Sequence, residues 1–488
     1  MKVSELLKQI EYSHVINEND NEFFNISYNS KTAKADDLFI CLKGEHTDGH
    51  NFAKMAYDNG VRVFVCERKL DCDATQIIVP STRLVIAKIS AILYDNPSQK
   101  LNLIGITGTN GKTTVTHLIQ RILEDNNQKC ALIGTLGYKL TSDGEYKEAK
   151  HTTPQAPELQ HTFKTILDND IKNIAMEVSS HALEQNRVGE CDFNGAVLTN
   201  LTQDHLDYHI TMNNYFDAKS ILFKNLKPNS FAIINADDEY AQRFLAVIPD
   251  GVKVYTYGVK NNADIKASDI DFSIHGAKYH CKTPAGEYDI QLELNGMFSV
   301  YNSLAALSIA IAMNLDIKQA VETLEKTKCV AGRFEIVCKK PLVIVDYAHT
   351  PDGLKNVLLA AKEITPPTSK LICLFGCGGD RDATKRPKMG QIADELADKI
   401  VVTSDNPRSE DPELIISDIM TGIKTVDTQR VFVEPDRGNA IKLLTRIANS
   451  DDVIIVAGKG HEDYQILKDR TIHFDDREEV RKNFKIMV

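Results

Sequence analysis

The stretch Leu103–Thr114 reads L-I-G-I-T-G-T-N-G-K-T-T, and the rest of the chain is interpreted from it. An apolar run leads into a turn with Gly108 and Gly111, and Lys112 follows. Apolar side chains then recur at helical spacing, which predicts a strand, a turn and a helix in that order. The backbone N–H groups of such a turn and the helix N-terminus bind phosphate, and Lys112 adds a full charge. The sequence therefore predicts a phosphate site here.

This loop departs from the strict phosphate-loop pattern, which has glycine five residues before Gly111, where this chain has Ile106. Glycine stands instead at positions 105 and 108. A glycine turn before an ordinary helix is the alternative interpretation. The G-K-T-T run directly after a strand favours the phosphate loop, and it places the Thr113 hydroxyl to bind a phosphate-bound Mg²⁺.

Bulk properties limit the class of protein. The 488 residues suggest two to four domains, and 42% are apolar, enough for buried cores. The charged, amphipathic N-terminus is unlike a signal peptide, and no apolar run is long enough to span a membrane. A formal charge of −11 argues against nucleic-acid binding, which needs basic surface. We expect a cytoplasmic, monomeric enzyme whose ten scattered cysteines stay reduced.

The pattern of strands and helices predicts an α/β protein of three domains. Residues 1–97 read as a small α/β unit, and Asn96-Pro97-Ser98 marks its end. Residues 98–330 alternate strands with helices, as in a mostly parallel sheet, with a possible antiparallel flap over Ile265–Leu294. Residues 331–488 read as a doubly wound, Rossmann-like sheet, whose ligand crevice lies at the carboxyl ends of the strands.

Four polar runs follow strands of this third unit directly, and together they predict a binding site. They are Asp346–His349, Gly378–Arg381, Asp405–Arg408 and Gly458–Glu462. Arg408 follows a proline-stiffened turn and is suited to bidentate capture of a carboxylate. An incidental arginine on a surface turn is the alternative.

Three side chains of the central unit are candidates for metal chemistry. Glu177 ends an apolar strand and would lie near the phosphate loop if the two strands are neighbours; a carboxylate suits Mg²⁺, and a capping or salt-bridge role is the alternative. His205 follows the next strand, and with Asp204, Asp207 and His209 nearby a hydrogen-bonding role and a zinc site both stay open. Lys219 would ordinarily be a surface lysine, although apolar neighbours place it near a buried face.

Many motifs in order make the whole chain resemble the Mur ligase family, and within it the members that use meso-2,6-diaminopimelate. The motifs are Gly105–Thr114, Thr152-Thr153-Pro154, Met176–His181 (M-E-V-S-S-H), Thr199–His209 (T-N-L-T-Q-D-H-L-D-Y-H), Ala218-Lys219, Asp346–Pro351 (D-Y-A-H-T-P), Gly378–Pro387, Asp405–Arg408 (D-N-P-R) and Gly458–Tyr464 (G-K-G-H-E-D-Y).

The resemblance implies an N-terminal domain for the UDP moiety, a central ATPase and a C-terminal domain for the incoming amino acid. It also implies an activity: ATP-dependent joining of meso-diaminopimelate to the D-glutamate of UDP-N-acetylmuramoyl-L-Ala-D-Glu through an acyl phosphate, in cytoplasmic peptidoglycan precursor synthesis. CO₂ would carbamylate Lys219 and so give it a negative charge, which the sequence alone does not suggest.

The resemblance also implies roles residue by residue. The ATP residues would be Gly108, Thr109, Asn110, Gly111, Lys112, Thr113, Thr114 and Asn302. Mg²⁺ would be held by Thr113, Glu177, His205 and carbamylated Lys219, and Lys112, Glu177, His205 and Lys219 would serve catalysis. The UDP-sugar dipeptide would contact Ser30, Glu45, His46, Thr47, His151, Thr152, Thr153, Ser179, Gln185 and Arg187. Diaminopimelate would contact Arg381, Asp405, Asn406, Pro407, Arg408, Gly458 and Glu462.

Three positions depart from the family pattern. Ser299 replaces a usual asparagine where adenine is expected, Asn29 replaces a usual aspartate before Ser30, and His151 replaces a common asparagine. The Ser299 change bears on one adenine contact and not on the activity.

Two other functions remain open at this point. An enzyme with the same fold could add lysine or another amino acid, or could resemble folylpolyglutamate synthetase. Asp405–Arg408 and the apparent UDP domain argue against both of these functions. Lysine lacks the distal carboxylate that Arg408 would pair with, and losing such a partner in a desolvated site costs about 2–5 kcal/mol. The chain could instead be a nucleotide-switched binding protein without ligase activity, whose ATP turnover would not depend on an acceptor.

Overall fold

The computed structural model describes residues 1–44, 47–149, 151–273, 275–424 and 427–484, which form three α/β domains. Glu45 and His46, both predicted to contact the UDP moiety, lie outside the described residues. Among the helices described, none has the length and apolar character needed to cross a membrane.

The N-terminal domain has a five-stranded sheet. Its elements are α1 Val3–Leu7, β1 His14–Ile16, β2 Asn25–Ser27, β3 Asp37–Ile40, α2 Ala53–Asp58, β4 Val63–Cys66, β5 Thr75–Ile78 and α3 Thr82–Leu93. The strand order is β1-β5-β4-β3-β2, and only β1 is antiparallel to its neighbour. Strands β3, β4 and β5 are buried throughout; β4 is wholly apolar, whereas β3 begins with Asp37 and β5 with Thr75-Gln76.

The central domain has a ten-stranded sheet. Its elements are β6 Asn102–Thr107, α4 Lys112–Asp125, β7 Cys130–Gly134, β8 Gly137–Lys139, α5 Ala156–Asp168, β9 Asn173–Glu177, α6 Ser180–Glu184, β10 Phe193–Leu198, α7 Leu206–His209, α8 Met212–Lys224, β11 Phe231–Asn235, α9 Ala241–Leu245, β12 Lys253–Gly258, β13 Ile265–Ser273, β14 Gly276–Thr283, β15 Gly286–Leu292, α10 Met297–Ala312 and α11 Ile317–Lys326. The order is β15-β14-β13-β12-β11-β10-β6-β9-β7-β8.

Strand β6 lies in the middle of this sheet, parallel to β9 on one side and β10 on the other. The carboxyl ends of these three strands therefore meet at one edge, and each carries a motif singled out in the sequence. The β-rich segment 265–294 is not a detached flap: β13 pairs with β12, so β13–β15 extend the same sheet.

The C-terminal domain has a six-stranded sheet and a separate hairpin. Its elements are β16 Glu335–Lys339, β17 Leu342–Asp346, α12 Pro351–Glu363, β18 Leu371–Phe375, α13 Lys385–Leu396, β19 Lys399–Val402, α14 Pro412–Met420, β20 Val431–Val433, α15 Arg437–Ile447, β21 Val453–Ala457, β22 Tyr464–Ile466, β23 Thr471–His473 and α16 Asp476–Asn483. The order is β16-β17-β21-β18-β19-β20, antiparallel only at β16. All four polar runs follow strands of this sheet, as predicted.

Candidate functional site

A cavity of about 420 Å³ lies between the central and C-terminal domains. The central domain contributes the phosphate loop, Glu177 and His205 to its wall, and the C-terminal domain contributes Arg333 and the segment around Tyr347. The elements that form it are the carboxyl ends of parallel strands in both sheets, which is where α/β proteins bind ligands. The residues predicted for diaminopimelate are not among its described lining residues.

The phosphate loop joins β6 to α4, as the sequence predicts. Gly108 and Gly111 have φ of 145° and 86°, values that residues with a side chain rarely adopt. A Cβ on Gly108 would lie 1.8 Å from Thr199 Oγ1, and one on Gly111 would lie 2.5 Å from Asn302 Oδ1. Both glycines are therefore required by backbone shape and by space. Lys112 is folded back on the loop, where its Nζ donates to the carbonyls of Gly108 at 3.0 Å and Thr109 at 2.9 Å.

Glu177 lies against this loop, because β9 pairs with β6 and Glu177 is opposite Ile106. Its carboxylate is buried, and its Oε2 accepts a hydrogen bond from Thr113 Oγ1 at 3.1 Å. Thr135 donates its backbone N–H to Oε1 at 3.0 Å and its hydroxyl to Oε2 at 3.1 Å. The carboxylate is thus fixed beside the hydroxyl that was predicted to bind a phosphate-bound Mg²⁺.

His205 lies just beyond β10 in a left-handed conformation, with φ of 53°. Its Nε2 is 3.3 Å from Oδ2 of the buried Asp204. Burial lowers the pKa of His205 to about 3, against the opposing effect of Asp204. Burial would raise the pKa of Asp204, but the charges of His205, His349 and Lys385 hold it below its usual range. The His205 ring is therefore neutral at physiological pH and can offer a lone pair.

Lys219 is a buried residue of α8 and not a surface lysine. Its Nζ donates to the carbonyl of Gly108 at 2.8 Å, and it lies 4.6 Å from the ring centroid of Tyr215. Burial, and then the charge of Lys112, lower its pKa well below the usual value. Two lysine side chains therefore converge on one carbonyl of the phosphate loop.

A second polar cluster lies behind Glu177 and contains most of the residues predicted for the muramoyl dipeptide. Thr153 Oγ1 donates to the Glu177 carbonyl at 2.9 Å and accepts from the backbone N–H of Ser179 at 3.0 Å. Arg187 donates to the Thr153 carbonyl at 3.0 Å and to Gln185 Oε1 at 2.7 Å. Thr152 Oγ1 is 3.1 Å from Thr135 Oγ1, and the exposed His151 precedes it.

Two residues predicted for the UDP moiety lie in the N-terminal domain. Ser30 is buried in the turn after β2, where its carbonyl accepts from Asn59 Nδ2 at 2.8 Å. Thr47 is exposed. Tyr28, two residues before Ser30, donates to Glu158 of the central domain at 2.6 Å, so this turn faces the central domain.

Helix α10 forms another side of the cavity. Asn302 lines it, together with Phe298 and Tyr301. The unusual Ser299 does not: its hydroxyl donates to the carbonyl of Asn295 at 2.7 Å within the helix region. The departure from the family pattern therefore falls on a side chain directed away from the described cavity.

The residues predicted for diaminopimelate form one cluster at the carboxyl ends of β18, β19 and β21. Asn406 Nδ2 donates to Glu462 Oε2 at 2.9 Å, and a Cβ on Gly458 would lie 3.2 Å from Asp405 Oδ2. Arg408 has φ of 54° and donates to the Gly379 carbonyl at 2.8 Å.

The remaining members of that cluster are Pro407 and Arg381. Pro407 is buried before Arg408, and the Pro407 carbonyl lies so close to Gly379 that a Cβ there would be 2.0 Å away. The exposed Arg381 donates to the carbonyl of Asp380 at 3.1 Å. The structure brings the runs that contain Arg381, Asp405–Arg408 and Gly458–Glu462 to one edge of the sheet; that they bind an amino acid stays a prediction.

Sequence reasoning missed residues that join the domains. Arg333 Nη2 donates to Thr113 Oγ1 at 3.2 Å, and its Nη1 donates to His461 Nδ1 at 3.4 Å. Asn110 Nδ2 donates to Asp352 Oδ2 at 2.9 Å, although the two are 242 residues apart. No local pattern identifies such pairs, and only the positions of Arg333 and Asp352 beside recognised motifs could have drawn attention to them.

The donors around the phosphate loop fit Mg²⁺, a hard cation that binds a few protein oxygens together with substrate phosphates. The buried Glu177 carboxylate and the Thr113 hydroxyl are such oxygens, 3.1 Å apart. Among the described residues, no three His, Cys, Asp or Glu side chains are grouped so as to hold a metal ion by themselves. The zinc alternative considered for residues 204–209 therefore has no complete ligand set in the described part of the chain.

The phosphate loop lies at the carboxyl ends of the strands of a mostly parallel sheet and faces a second α/β domain across a cavity. This arrangement is typical of nucleotide-dependent enzymes of the three-domain ligase class. Family models match the chain in three segments: Mur ligase family, catalytic domain, at residues 22–103; Mur ligase middle domain at 106–310; and Mur ligase, glutamate ligase domain, at 332–460. The chain belongs to the Mur ligase family and is an ATP-dependent ligase of that family.

Among similar proteins is a UDP-N-acetylmuramoyl-L-alanyl-D-glutamate–2,6-diaminopimelate ligase of Clostridium botulinum, 45% identical over 99% of this chain and 100% of its own length. A protein of the same name from Listeria monocytogenes is 42% identical over 99% of this chain and 98% of its own length. A solved structure of that name aligns with a TM-score of 0.66 and 35% identity, covering 96% of this chain and 97% of that one. The MurF ligase of Thermotoga maritima, at 18% identity, TM-score 0.65 and coverage of 94% and 97%, shares the fold.

Proposed function

We propose that this ligase joins meso-2,6-diaminopimelate to the D-glutamate of UDP-N-acetylmuramoyl-L-Ala-D-Glu, with conversion of ATP to ADP and phosphate. The observation that carries the proposal is the cluster of Asp405–Arg408 with Gly458 and Glu462, in a chain similar over its whole length to relatives named for this reaction. We also propose that it acts in the cytoplasm as a monomer, as expected from the sequence.

The first step is phosphoryl transfer, in which the γ-carboxylate of D-glutamate attacks the γ-phosphate of ATP and ADP leaves. Such transfer depends on positioning and on charge neutralisation. The N–H groups of Gly108–Thr114 and the Lys112 ammonium would bind the phosphates, and Arg333 would add a second positive charge from the C-terminal domain. When bound, Mg²⁺, held by Thr113, Glu177, His205 and a carbamylated Lys219, would neutralise phosphate charge.

Lys219 has the properties that carbamylation needs. Only a neutral amine adds to CO₂, and burial lowers the pKa of this amine well below its usual value. The addition forms an N–C bond and releases one proton, leaving a carboxylate on Nζ. Lys112 and Lys219 both donate to the Gly108 carbonyl, so the negative carbamate would lie close to the Lys112 ammonium group and attract it.

In the second step the amine of diaminopimelate attacks the acyl phosphate, the tetrahedral intermediate releases phosphate, and the amine proton leaves. The C-terminal cluster would bind the amino acid, with Arg408 on the distal carboxylate and Glu462 on an ammonium group. The contacts of Arg333 and Asp352 with the phosphate loop keep the two domains together and would exclude water from the acyl phosphate.

Phosphate release tests the proposal directly. ATP and UDP-N-acetylmuramoyl-L-Ala-D-Glu are supplied with meso-diaminopimelate or with L-lysine, and Lys112→Ala serves as the inactive control. We expect release with diaminopimelate alone. Release with lysine would keep the ligase chemistry and overturn the role of Arg408. Equal release without any acceptor would favour a nucleotide switch over a ligase.

A further inference from the structure

The C-terminal cluster encloses a lysine to which the proposed function gives no role. Lys459 follows Gly458 at the end of β21 and is 0% exposed. Its Nζ donates to Glu462 Oε2 at 3.1 Å and to Asn406 Oδ1 at 3.3 Å, and it lies 3.8 Å from Asp405 Oδ1. One buried ammonium group therefore contacts three of the side chains predicted to bind the amino acid.

These contacts fix the orientation of the Asn406 amide. Its Oδ1 accepts from Lys459 Nζ and from the backbone N–H of Ile466 at 2.9 Å, so the oxygen is directed toward two donors. Its Nδ2 then donates to Glu462 Oε2 at 2.9 Å. A flipped amide would bring Nδ2 against the Lys459 ammonium and Oδ1 against a carboxylate, and both contacts would be repulsive.

The same contacts leave one carboxylate oxygen of Glu462 for a ligand. Both bonds to Glu462 end on Oε2, and within the described ranges Oε1 accepts no hydrogen bond. Asp405 Oδ1 is buried and likewise has no hydrogen-bond partner in the described part of the chain. An amino acid brings the ammonium donor that Glu462 Oε1 lacks, whereas Asp405 Oδ1 and Lys459 are both too deeply buried for a ligand to reach.

We propose that Lys459 is a positioning residue for the amino-acid acceptor, which holds Glu462 and Asn406 in the arrangement that binds the acceptor's ammonium group. The inference rests on the proposed function and deepens it. Lys459 acts through electrostatics as well as geometry, since it lies between two carboxylates that would otherwise repel each other.

The charges around Glu462 indicate what the loss of Lys459 would do to the pKa of Glu462. Burial and the charge of Asp405 raise the pKa of Glu462, while Lys459 and the Asn406 bond oppose that rise. The other groups that interact with it are Arg437, Tyr347 and Tyr464. Without Lys459 the pKa of Glu462 rises further, so the carboxyl group stays protonated to a higher pH. It becomes a carboxylate that attracts an ammonium group only when the pH exceeds this raised pKa.

The test is Lys459→Met in the full-length enzyme, with KM measured for diaminopimelate and for ATP from neutral to alkaline pH. Near neutral pH we expect KM for diaminopimelate to rise by about tenfold or more, with KM for ATP unchanged. That rise should shrink as pH increases and Glu462 ionises. Lys468→Met, at an exposed position beside the β22–β23 turn, is the control and should match wild type at every pH.

A double variant separates positioning from simple loss of structure. If Lys459 acts through Glu462, then Lys459→Met combined with Glu462→Gln should bind diaminopimelate no worse than Glu462→Gln alone. If Lys459→Met does not fold, Lys459→Gln supplies a neutral donor and should show the same selective, smaller rise.

Two outcomes would overturn the inference: an unchanged KM for diaminopimelate, or an equal rise in KM for ATP and diaminopimelate in a folded variant. Failure of the proposed function is distinguishable from both, because wild type itself would then release no phosphate in response to diaminopimelate.

Discussion

Two lysine side chains reach the carbonyl of Gly108, and their environments differ in a way that assigns them different tasks. Lys112 belongs to the loop itself and is partly exposed to the cavity, so it can follow a phosphate group. Lys219 approaches from α8, is 2% exposed and has a strongly lowered pKa because of burial. A buried amine is costly as a cation and is better suited to covalent change.

The carbamate proposal predicts a specific chemical rescue. Lys219→Ala should lower kcat by about 100-fold or more, as expected for loss of a group that organises charge at the transition state. Short carboxylic acids such as acetate should restore part of the activity, because they place a carboxylate in the space vacated by the side chain. The measurement is phosphate release with and without the acid; Lys224→Ala, exposed on the same helix, is the control. Wild-type activity in Lys219→Ala would disprove the carbamate.

Arg408 is the side chain on which acceptor choice is predicted to depend. It is held in a left-handed backbone conformation, with its guanidinium on the Gly379 carbonyl. Arg408→Ala should raise KM for diaminopimelate by the equivalent of about 2–5 kcal/mol and leave KM for ATP unchanged. The difference between KM for diaminopimelate and KM for lysine should also become smaller. Parallel rises for ATP and diaminopimelate would argue against a carboxylate contact.

At the scale of elements, the sequence was most informative where strands are buried. Phe231–Asn235 and Leu371–Phe375 are buried strands with nearly continuous apolar sequences between turn signals, the pattern that predicts strands covered on both faces. Strand β9 ends at Glu177, where the sequence analysis places the end of an apolar strand, and Ser179 then caps α6.

Short edge strands and contacts between distant elements could not be predicted in the same way. Among the three-residue strands, β1, β2, β22 and β23 contain no apolar run that distinguishes them from loops, whereas β20 is wholly apolar. The motif glycines, Glu177 and Lys219 were identified from spacing or resemblance. Arg333 and Lys459 lay within recognised segments, yet their partners are set by the packing of sheets and domains, which no local pattern contains.

One buried ion pair contacts the backbone next to the cluster of residues predicted to bind the amino acid. Arg437, at the start of α15, is paired with Asp476 of α16 at 2.7 Å, and both side chains are 0% exposed. The same guanidinium donates to the carbonyls of Ser404 at 3.2 Å and Ala457 at 2.9 Å. Those two residues directly precede Asp405 and Gly458, so α15 and α16 jointly fix the ends of β19 and β21.

Removing one partner of this pair should therefore destabilise the domain strongly. Arg437→Met leaves Asp476 as an unpaired buried charge, which costs about 3–5 kcal/mol, and it also frees two carbonyls. Denaturant unfolding of the full chain should show this loss, and adding Asp476→Leu should recover part of it. Arg446→Met, exposed on the same helix, is the matched control. Equal stability of Arg437→Met and the control would show that the pair does not support the cluster.

At the scale of the whole molecule, the proposed reaction needs the predicted ATP and amino-acid sites to act together. The first lies at the central sheet and the second at the C-terminal sheet. The structure joins the domains through polar contacts around the cavity and through Phe298 of α10, whose ring centroid lies 5.7 Å from that of Phe334. Asn110 of the phosphate loop donates to Asp352 in the first turn of α12, and Gln203 donates to Asp382 at 3.2 Å. Arg333 contacts Thr113 on one side and His461 on the other. Polar contacts of this kind can break and re-form during turnover, as domain closure requires.

The Asn110–Asp352 contact allows that coupling to be measured. A hydrogen bond to a charged group contributes about 1.5–3 kcal/mol, so Asp352→Ala should shift the domains toward separation by about tenfold or more. We expect a larger radius of gyration by solution X-ray scattering and a lower kcat, with little change in denaturant stability because each domain keeps its own core. Glu363→Ala, exposed at the other end of α12, should match wild type. A loss of kcat without any change in scattering would mean that Asp352 acts on the phosphate loop alone and not through domain contact.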